Sequence, residues 1–405
     1  MLSAAPNPCI AAPARSRRAA ARGVGLGFFE KGDDVHEPVI PVGRPLLPSA
    51  DAIAPYLRLL DRSRRYANHG ELVRTLEARL TALFGSPAAH TVTAASGTAA
   101  LTAAILAAVG RATEARPLCL CPAYTFAATA LAAEQCGYRV HLVDVDEHTW
   151  ALDAEALARH GQIDRAGIVV TTAPYGRRFS QGAWSRFRDR TGVPVVIDAA
   201  AAVEALADDA SDLIGSVPVV LSLHATKAFG VGEGGAVVGS DPALLRATVA
   251  ALNFGFDGVR ETTGPGLNGK MSEYHAAVGL AELDGWASKR ARLRHVADRY
   301  RQAAATRELR VHTAPAISSC YVLLEAATEV QVDAVQASLR EGGIDYRLWY
   351  GTGLHRERHF RAHPHDPLPV VEALAPRLIG LPVAPDLPDT AIERIVGALA
   401  RPGDR

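Results

Sequence analysis

From about Val39 onward, short apolar runs rich in β-branched residues alternate with helical segments, and this alternation limits the folds open to the chain. Glu71 to Phe84 and Gly97 to Val109 are examples of the helical segments. The runs of strand length are Thr91 to Ala95, Leu118 to Cys121, Arg139 to Val145, Ile168 to Thr172, Val193 to Ile197, Val219 to Leu223 and Gly235 to Gly239. The pattern predicts an α/β fold with a mostly parallel sheet flanked by helices, and functional loops at the carboxyl ends of the strands.

The pattern changes near Glu282, where a long charged helix is predicted to run to Arg301. A strand at Cys320 to Leu324, a helix at Val330 to Glu341 and a last helix at Asp389 to Leu399 then predict a smaller α+β domain. We therefore expect three parts: a flexible leader at 1–38, a large domain at 39–285 and a small domain at 286–405. The leader carries arginines and no acid before Glu30, so a transit peptide is the alternative to a disordered leader.

Composition excludes several classes of function. Lys and Arg together number 43, as do Asp and Glu, so no net charge recruits nucleic acid or an anionic membrane. No apolar run reaches the roughly 20 residues that a membrane-spanning helix needs. The 5 cysteines show no paired metal-ligand spacing, which predicts free thiols in a reducing, cytoplasmic setting and no metal site.

Two charged residues follow neighbouring predicted strands. Lys227 comes shortly after one of them in a glycine-rich loop, where burial would disfavour the ammonium form and leave a nucleophilic amine. Asp198 ends the run Val193 to Asp198, where a carboxylate can pair with a pyridinium nitrogen and make the ring an electron sink. Taken singly, a solvated turn lysine and a helix-capping or metal-binding aspartate are the plainer interpretations.

Small polar residues at other strand ends suit an anion and a planar ring. Ser96, Gly97 and Thr98 open a helix after a strand, which presents backbone N–H groups to a phosphate, although Ser96 also suits a plain N-cap. Ser222, five residues before the lysine, can donate its hydroxyl to the same phosphate. Phe126 offers an aromatic face for stacking on a planar ring, with core packing as its alternative.

In this order and spacing, the motifs resemble those of the DegT/DnrJ/EryC1/StrS aminotransferases. The resemblance runs from about Pro45 to Leu399. It rests on Gly70 with Leu76-Glu77, Ser96 to Leu101, Pro122 to Thr129, Val143 to Asp146, Asp198-Ala-Ala, Lys227 with Gly232 to Gly235, Asn268 to Glu273, Gly343-Ile344, Tyr350 with Leu354-His355, and Leu381-Pro382. It implies fold type I of the pyridoxal 5'-phosphate (PLP) dependent transferases, with a seven-stranded sheet and a smaller C-terminal domain.

The resemblance also implies roles and partners. Lys227 is expected to hold PLP as a Schiff base and to shuttle the proton, and Asp198 to face the ring nitrogen. Ser96, Gly97, Thr98 and Ser222 are expected to bind the phosphate, and Phe126 to stack on the ring. Family members take an asparagine from a neighbouring subunit for the phosphate, which predicts a homodimer with shared active sites; Asn268 matches that stretch, and Asn253 is the second candidate.

Two positions depart from the family's pattern. Ala201 stands where a Gln or His usually touches the ring oxygen, and Lys270 replaces an arginine, which loses bidentate geometry. Both changes bear on the substrate rather than on the lysine or the electron sink.

Further polar residues are weaker candidates. Tyr124, His224, Arg347 and Tyr350 are candidate substrate contacts, with a packed loop histidine as the alternative for His224. We interpret the late histidines as a solvated or substrate-binding loop rather than a metal site: His355, His359, His363 and His365.

The sequence therefore predicts an aminotransferase that passes an amino group from an amino acid, by family habit L-glutamate, through pyridoxamine 5'-phosphate (PMP). The expected acceptor is a nucleotide-linked keto-sugar or a keto-cyclitol, in natural-product or glycan biosynthesis. A PLP enzyme of the same fold acting on a non-sugar keto compound or catalysing another reaction, and a non-catalytic PLP-binding regulator, are the alternatives. An NAD-dependent α/β enzyme is disfavoured because no G-x-G-x-x-G turn follows the first strand.

Overall fold

The computed structural model describes residues 40–399, so the predicted leader at 1–38 lies outside the described residues. Strands of the main sheet are short and buried, as the β-branched runs predict. They are β1 His90–Ala94, β2 Leu118–Pro122, β3 Arg139–Val143, β4 Ala166–Thr172, β5 Val195–Asp198, β6 Val219–Ser222 and β7 Gly235–Gly239. Each strand predicted for this sheet is confirmed, with ends that differ by a few residues at most.

Within residues 40–399, the main sheet has 7 strands in the order β1-β7-β6-β5-β4-β2-β3. Pairs along β3, β2, β4, β5 and β6 are parallel, and β7 alone runs antiparallel to both of its neighbours. The predicted mixed, mostly parallel sheet is therefore confirmed. Because β5 and β6 are parallel neighbours, Asp198 and the loop that follows Ser222 come out at one edge of the sheet.

Helices cover the sheet and form most of the C-terminal part. They are α1 Ala50–Ser63, α2 Glu71–Phe84, α3 Gly97–Val109, α4 Ala127–Gln135, α5 Ala154–Leu157, α6 Gln181–Thr191, α7 Val203–Asp208, α8 Pro242–Leu252, α9 Glu273–Ala305, α10 Glu329–Glu341, α11 Pro369–Leu374 and α12 Asp389–Leu399. None of the helices in the described part of the chain is long and apolar enough to cross a bilayer.

Helix α3 lies between the sheet and α8. It is rich in alanine, and Ala100, Ala103 and Ala104 are completely buried. Small side chains let a helix lie close to two neighbouring layers at once, because no bulky group holds the backbones apart. This close packing fixes the amino end of α3 against the carboxyl end of β6.

A second, smaller sheet lies in the C-terminal part, with the antiparallel order β10-β9-β8. Its strands are β8 Val311–His312, β9 Leu323–Glu325 and β10 Leu378–Gly380. Its apolar core is formed with α9, α10 and α12 and includes Tyr300, Leu339, Ile379, Ile392 and Ile395. The predicted smaller α+β part is present, and the domain boundary at 285/286 stays a prediction, since α9 runs through it.

Two predicted elements need correction. The strand expected at Cys320 to Leu324 begins only at Leu323, because the preceding residues form a turn held by the Glu204 carboxylate. Helix α9 begins at Glu273 rather than Glu282, with Ser272 accepting a hydrogen bond from the His275 N–H as its cap. The first turns of α9 are mainly apolar and buried. The charged residues from which a helix was predicted therefore indicated only its later part.

Candidate active site

Lys227 lies in the loop between β6 and β7, at the carboxyl edge of the sheet. Its backbone N–H donates to the His224 carbonyl at 2.9 Å, which closes a tight turn. The side chain is half-buried, and its Nζ donates to the Tyr321 hydroxyl at 2.8 Å. The amine is therefore held in one direction, towards the C-terminal part of the chain.

Asp198 ends β5 and is only 4% exposed. One carboxylate oxygen accepts from the Thr129 hydroxyl at 2.7 Å, and the other from the Ala200 N–H at 3.1 Å. Burial raises the pKa of Asp198, while both hydrogen bonds and the positive charge of Lys227 oppose that rise. The two residues predicted as a pair are thus close enough to interact electrostatically.

A row of threonine hydroxyls continues from Asp198 across the sheet edge. Thr125 lies 2.8 Å from the Thr129 hydroxyl and 2.9 Å from that of Thr172. A hydroxyl has one proton, and Thr129 gives its proton to Asp198. Thr125 therefore donates to Thr129, and Thr172 donates to Thr125, so the whole row points its protons towards the buried carboxylate. Nothing in the sequence indicates that the hydroxyls of these threonines form one hydrogen-bonded row.

The residues expected to bind a phosphate lie where α3 begins. The Ser96 hydroxyl accepts from the Ala99 N–H at 3.1 Å, so it caps the helix. Within the described residues, the N–H groups of Gly97 and Thr98 have no partner, which leaves them able to bind an anion. A Cβ on Gly97 would lie 3.1 Å from the Ser222 Cβ and 3.3 Å from its hydroxyl. Glycine therefore keeps this cradle open.

Phe126 precedes α4 and is 62% exposed, unusually so for a large aromatic side chain. The alternative of core packing does not hold in this structure. Its neighbour Tyr124 behaves oppositely: it is 1% exposed, and its hydroxyl lies 2.8 Å from that of Tyr175. The exposed ring is free to stack on a planar ligand.

Tyr321 was missed by the sequence prediction. It belongs to a turn that Glu204 holds by accepting from the hydroxyls of Ser318 and Ser319 and from the Ser319 N–H. Burial raises the pKa of Tyr321 well above its ordinary value, so the phenol keeps its proton. Its oxygen accepts from Lys227, and its O–H is free to donate to a second acceptor.

Aromatic rings surround Tyr321. Tyr175 and Trp349 each meet its ring edge-on, with centroids 5.3 and 5.4 Å away. Tyr350 stacks on Tyr175 at 4.5 Å, and its hydroxyl accepts from the Tyr175 N–H at 3.3 Å. Arg347 is exposed, and its guanidinium lies 5.5 Å from the Trp349 ring centroid. Two of the weaker candidates, Tyr124 and Tyr350, therefore belong to one aromatic wall, and Arg347 lies at its outer edge.

Of the remaining candidates, His224 is held within its own loop, and Asn253 and Asn268 pair with each other. The His224 ring nitrogen Nδ1 is 2.8 Å from the Thr226 hydroxyl, and Nε2 is 3.6 Å from Glu233, so the ring is held within its own loop. Asn253 and Asn268 face each other in an antiparallel bridge. The side chain of Asn268 is exposed and accepts from Lys270 at 3.0 Å. This bridge places the two asparagines side by side, with Asn268 exposed and Asn253 half-buried.

Ala201, one of the two positions that depart from the family's pattern, is buried. An ideal Cβ on Gly176 would lie 2.5 Å from the Ala201 carbonyl oxygen and 3.0 Å from the Ser318 Cβ. Gly176 has φ +81°, which also favours glycine. The turn that carries Tyr321 therefore packs close to the position where the family's Gln or His usually lies.

An α/β sheet with a lysine and a buried carboxylate at neighbouring parallel strand ends, beside an open helix terminus, is the arrangement of fold-type-I transferases. The chain matches the model of the DegT/DnrJ/EryC1/StrS aminotransferase family over residues 49–400 and belongs to that family. It is therefore an aminotransferase.

Individual proteins are similar to this chain over most of its length. Protein Rv3402c of Mycobacterium tuberculosis strain H37Rv is 32% identical, over 89% of this chain and 90% of that protein. DesI, solved in the presence of its TDP-sugar product, is 31% identical with a TM-score of 0.76, covering 90% of this chain and 93% of that one. A Bacillus cereus ATCC 10987 structure assigned to the PLP-dependent aminotransferases is 27% identical with a TM-score of 0.80, covering 89% and 99%.

Proposed function

We propose that this aminotransferase uses PLP held by Lys227 and passes an amino group from L-glutamate to a nucleotide-linked keto-sugar. The observation that carries the proposal is the placement of the Lys227 amine and the buried Asp198 carboxylate at neighbouring strand ends, close enough to interact electrostatically. The TDP-sugar product of DesI supports the choice of acceptor.

The residues present fit PLP. A Cβ at Gly97 would crowd Ser222, so a small residue keeps room for a phosphate between them. The unpartnered N–H groups of Gly97 and Thr98 and the Ser222 hydroxyl would hold that phosphate. Phe126 would cover one face of the ring. Each Asp198 oxygen accepts one hydrogen bond, which leaves lone pairs for a ring N–H.

When bound, PLP supplies an electron-withdrawing ring that acidifies the α-proton of an amino acid joined to it. Asp198 would face the ring nitrogen, and the hydrogen bonds that it accepts from Thr129 and the Ala200 N–H favour its charged form. Lys227 would supply the amine that holds the cofactor and would move a proton. Tyr321 orients that amine through the 2.8 Å hydrogen bond. The aromatic wall excludes water from this side.

A small, partly open cleft lies beside Lys227. Cys320 and Trp349 line it on one side, and residues 42–46 on another. In this proposal, the cleft gives an acceptor a route to Lys227. In this proposal, Tyr350 and Arg347 contact the acceptor near this cleft.

We propose a homodimer as the working unit. The exposed Asn268 side chain and its bridge partner Asn253 would then reach the phosphate of the neighbouring subunit. An exposed aromatic ring lies beside them: Phe254 is 45% exposed, and Lys270 Nζ lies 4.5 Å from its centroid. A cytoplasmic location agrees with the free thiols of the described residues, Cys119, Cys121, Cys136 and Cys320.

The test is a two-step absorbance experiment on purified, PLP-loaded protein. Glutamate should convert the visible PLP band to the PMP band, and a TDP-linked keto-sugar should restore it. Lys227→Ala should show no conversion, and Arg246→Ala, which removes an exposed positive charge on α8, should keep the PLP band and its conversion. The proposal fails if no amino donor changes the spectrum, or if keto-cyclitols or simple keto acids restore the band while no nucleotide-linked sugar does.

A further inference from the structure

Two groups of histidines and a carboxylate lie outside the active site. The first, the α4 cluster, consists of Glu134, His359 and His363; the second, the β3 cluster, consists of His141, His160 and Asp366. In each cluster the candidate ligand atoms all lie within 4.8 Å of one another. The two clusters differ in whether the histidine nitrogen lone pairs that a metal ion would need are already used in hydrogen bonds.

The β3 cluster is a closed hydrogen-bond network. The Gln162 N–H donates to His160 Nδ1 at 3.1 Å, so in the neutral ring Nε2 carries the proton. That nitrogen then donates to Asp366 at 2.8 Å, and His141 Nε2 lies 2.8 Å from the other oxygen. A cation would need the Nε2 lone pair of His160, which this tautomer does not offer. We assign this cluster a structural role.

The α4 cluster has no such restriction. His359 Nε2 lies 2.9 Å from one Glu134 oxygen, and His363 Nε2 lies 2.6 Å from the other. Neither Nδ1 has a hydrogen-bond partner among residues 40–399, so each ring can move its proton to Nδ1 and turn an Nε2 lone pair inward. His359 is 60% exposed at its side chain, which gives an ion access and leaves room for a water ligand.

Phe360 holds the two rings in place. It is 1% exposed, and its ring centroid lies 4.7 Å from that of His359 and 5.3 Å from that of His363. The His363 N–H donates to the Phe360 carbonyl at 2.9 Å, which fixes the turn between the histidines. The ligands are thus held together before any ion arrives, which lowers the cost of ordering them on binding.

We propose that the α4 cluster binds a divalent transition-metal ion of the zinc type. Two imidazole nitrogens and one carboxylate oxygen, with water in the fourth position, are a ligand set that Zn²⁺ accepts at about 2.0–2.2 Å. The present Nε2-to-oxygen distances require only small shifts to admit an ion between them. This proposal replaces the expectation of no metal from sequence, where Glu134 lies 225 residues from His359 and shares no spacing with it.

The ion would tie two walls of the active site together. Helix α4 begins next to Phe126, the exposed ring-stacking residue. The histidine segment begins at Leu354, whose N–H donates to the Ala123 carbonyl at 2.8 Å, and follows Tyr350 of the aromatic wall. A bound metal adds a second link between the same two segments, so it stabilises the folded chain.

Isothermal titration of untagged, chelator-treated full-length protein with zinc chloride tests the proposal. One equivalent should bind with micromolar affinity or better, and cobalt chloride should give visible absorption bands of a bound Co²⁺ ion. His359→Ala should weaken zinc binding by more than about 100-fold, because loss of even an outer partner of a metal site costs about 10–100-fold. Its exposure means that the substitution should leave the fold intact, which thermal unfolding without metal checks.

His365→Ala is the matched control, since this exposed histidine lies in the same segment and belongs to neither cluster. The His365→Ala variant should bind zinc as the unchanged protein does. Zinc should raise the Tm of these two proteins, but not the Tm of His359→Ala. Absence of saturable binding at one equivalent would overturn the proposal. So would retention of full affinity in His359→Ala, or an equal loss in His365→Ala. Glu134→Gln should reproduce the loss, and unchanged binding in that variant would also overturn it.

Discussion

The two sides of Lys227 are built from the chain in different ways. On the sheet side, Asp198 and Ser222 end neighbouring parallel strands, and their positions follow from the strands themselves. On the other side, Tyr321, Tyr175 and Tyr350 come from three separate segments and are held by contacts far apart in sequence. The sheet side fits a cofactor common to a whole family, while the tyrosine side is where this chain can differ in its acceptor.

The largest effect is expected on the sheet side. Asp198→Asn keeps the volume of the side chain but removes the charge that would face the ring nitrogen. Breaking a buried charge pair costs about 3–5 kcal/mol, or about 10²- to 10⁴-fold in rate. The rate of PLP-to-PMP conversion with glutamate measures it. Asp209→Asn, an exposed aspartate, should retain the full rate; equal losses in both variants would argue against the pairing.

The phosphate cradle should show a smaller effect, on affinity. Ser222→Ala removes one hydroxyl donor to a charged group, worth about 1.5–3 kcal/mol, so PLP should bind about 10- to 100-fold more weakly. Equilibrium dialysis of PLP against the apoenzyme measures this change. Ser216→Ala, whose hydroxyl accepts from Arg188 instead, is the control. Unchanged PLP affinity in Ser222→Ala would show that Ser222 does not bind the phosphate of PLP.

On the tyrosine side, Tyr321→Phe should keep the ring packing and remove the hydroxyl that orients Lys227. One such hydrogen bond is worth about 1 kcal/mol, so kcat should fall by up to about tenfold. The KM for glutamate should change little, and the pH titration of the bound cofactor's absorbance should shift. Tyr346→Phe, whose hydroxyl donates to Gln336, should change neither. An unchanged absorbance titration in Tyr321→Phe would show that the Tyr321 hydroxyl does not position Lys227.

The smallest effect on activity is expected from the threonine row, which acts through Asp198. Thr125→Val leaves Thr172 without its acceptor in a buried place. We expect the free energy of unfolding to fall by about 1–3 kcal/mol, with activity reduced less than in Asp198→Asn. Urea denaturation measures the change. Thr75→Val, at an exposed helix position, should be nearly neutral; a similar loss there would make the effect non-specific.

This contrast also explains which features could be predicted from sequence. Strand ends carry local signals, so Lys227, Asp198 and the seven strands of the main sheet could be located from the β-branched runs. Helix α8 begins with an aspartate cap and a proline but carries no charged stripe, and α6 is polar except for residues such as Trp184 and Phe187. Both helices were therefore missed.

Tyr321 could not be predicted for a different reason. The apolar run at 320–324 predicts a strand, and only the distant Glu204 carboxylate makes its first part a turn. The same holds for Glu134, which lies far from the histidines that it contacts. Contacts between segments more than 100 residues apart leave no periodic signal in the sequence, so the structure is needed to find them.

The most direct test of the central claim is to find which lysine carries the cofactor. Borohydride reduction of the PLP-loaded protein fixes the link between amine and aldehyde, and peptide mass spectrometry then locates it. We predict a single pyridoxyl phosphate on the peptide that contains Lys227, and none after Lys227→Ala. Labelling of Lys289 or Lys270 in its place, or no labelled lysine at all, would contradict the account.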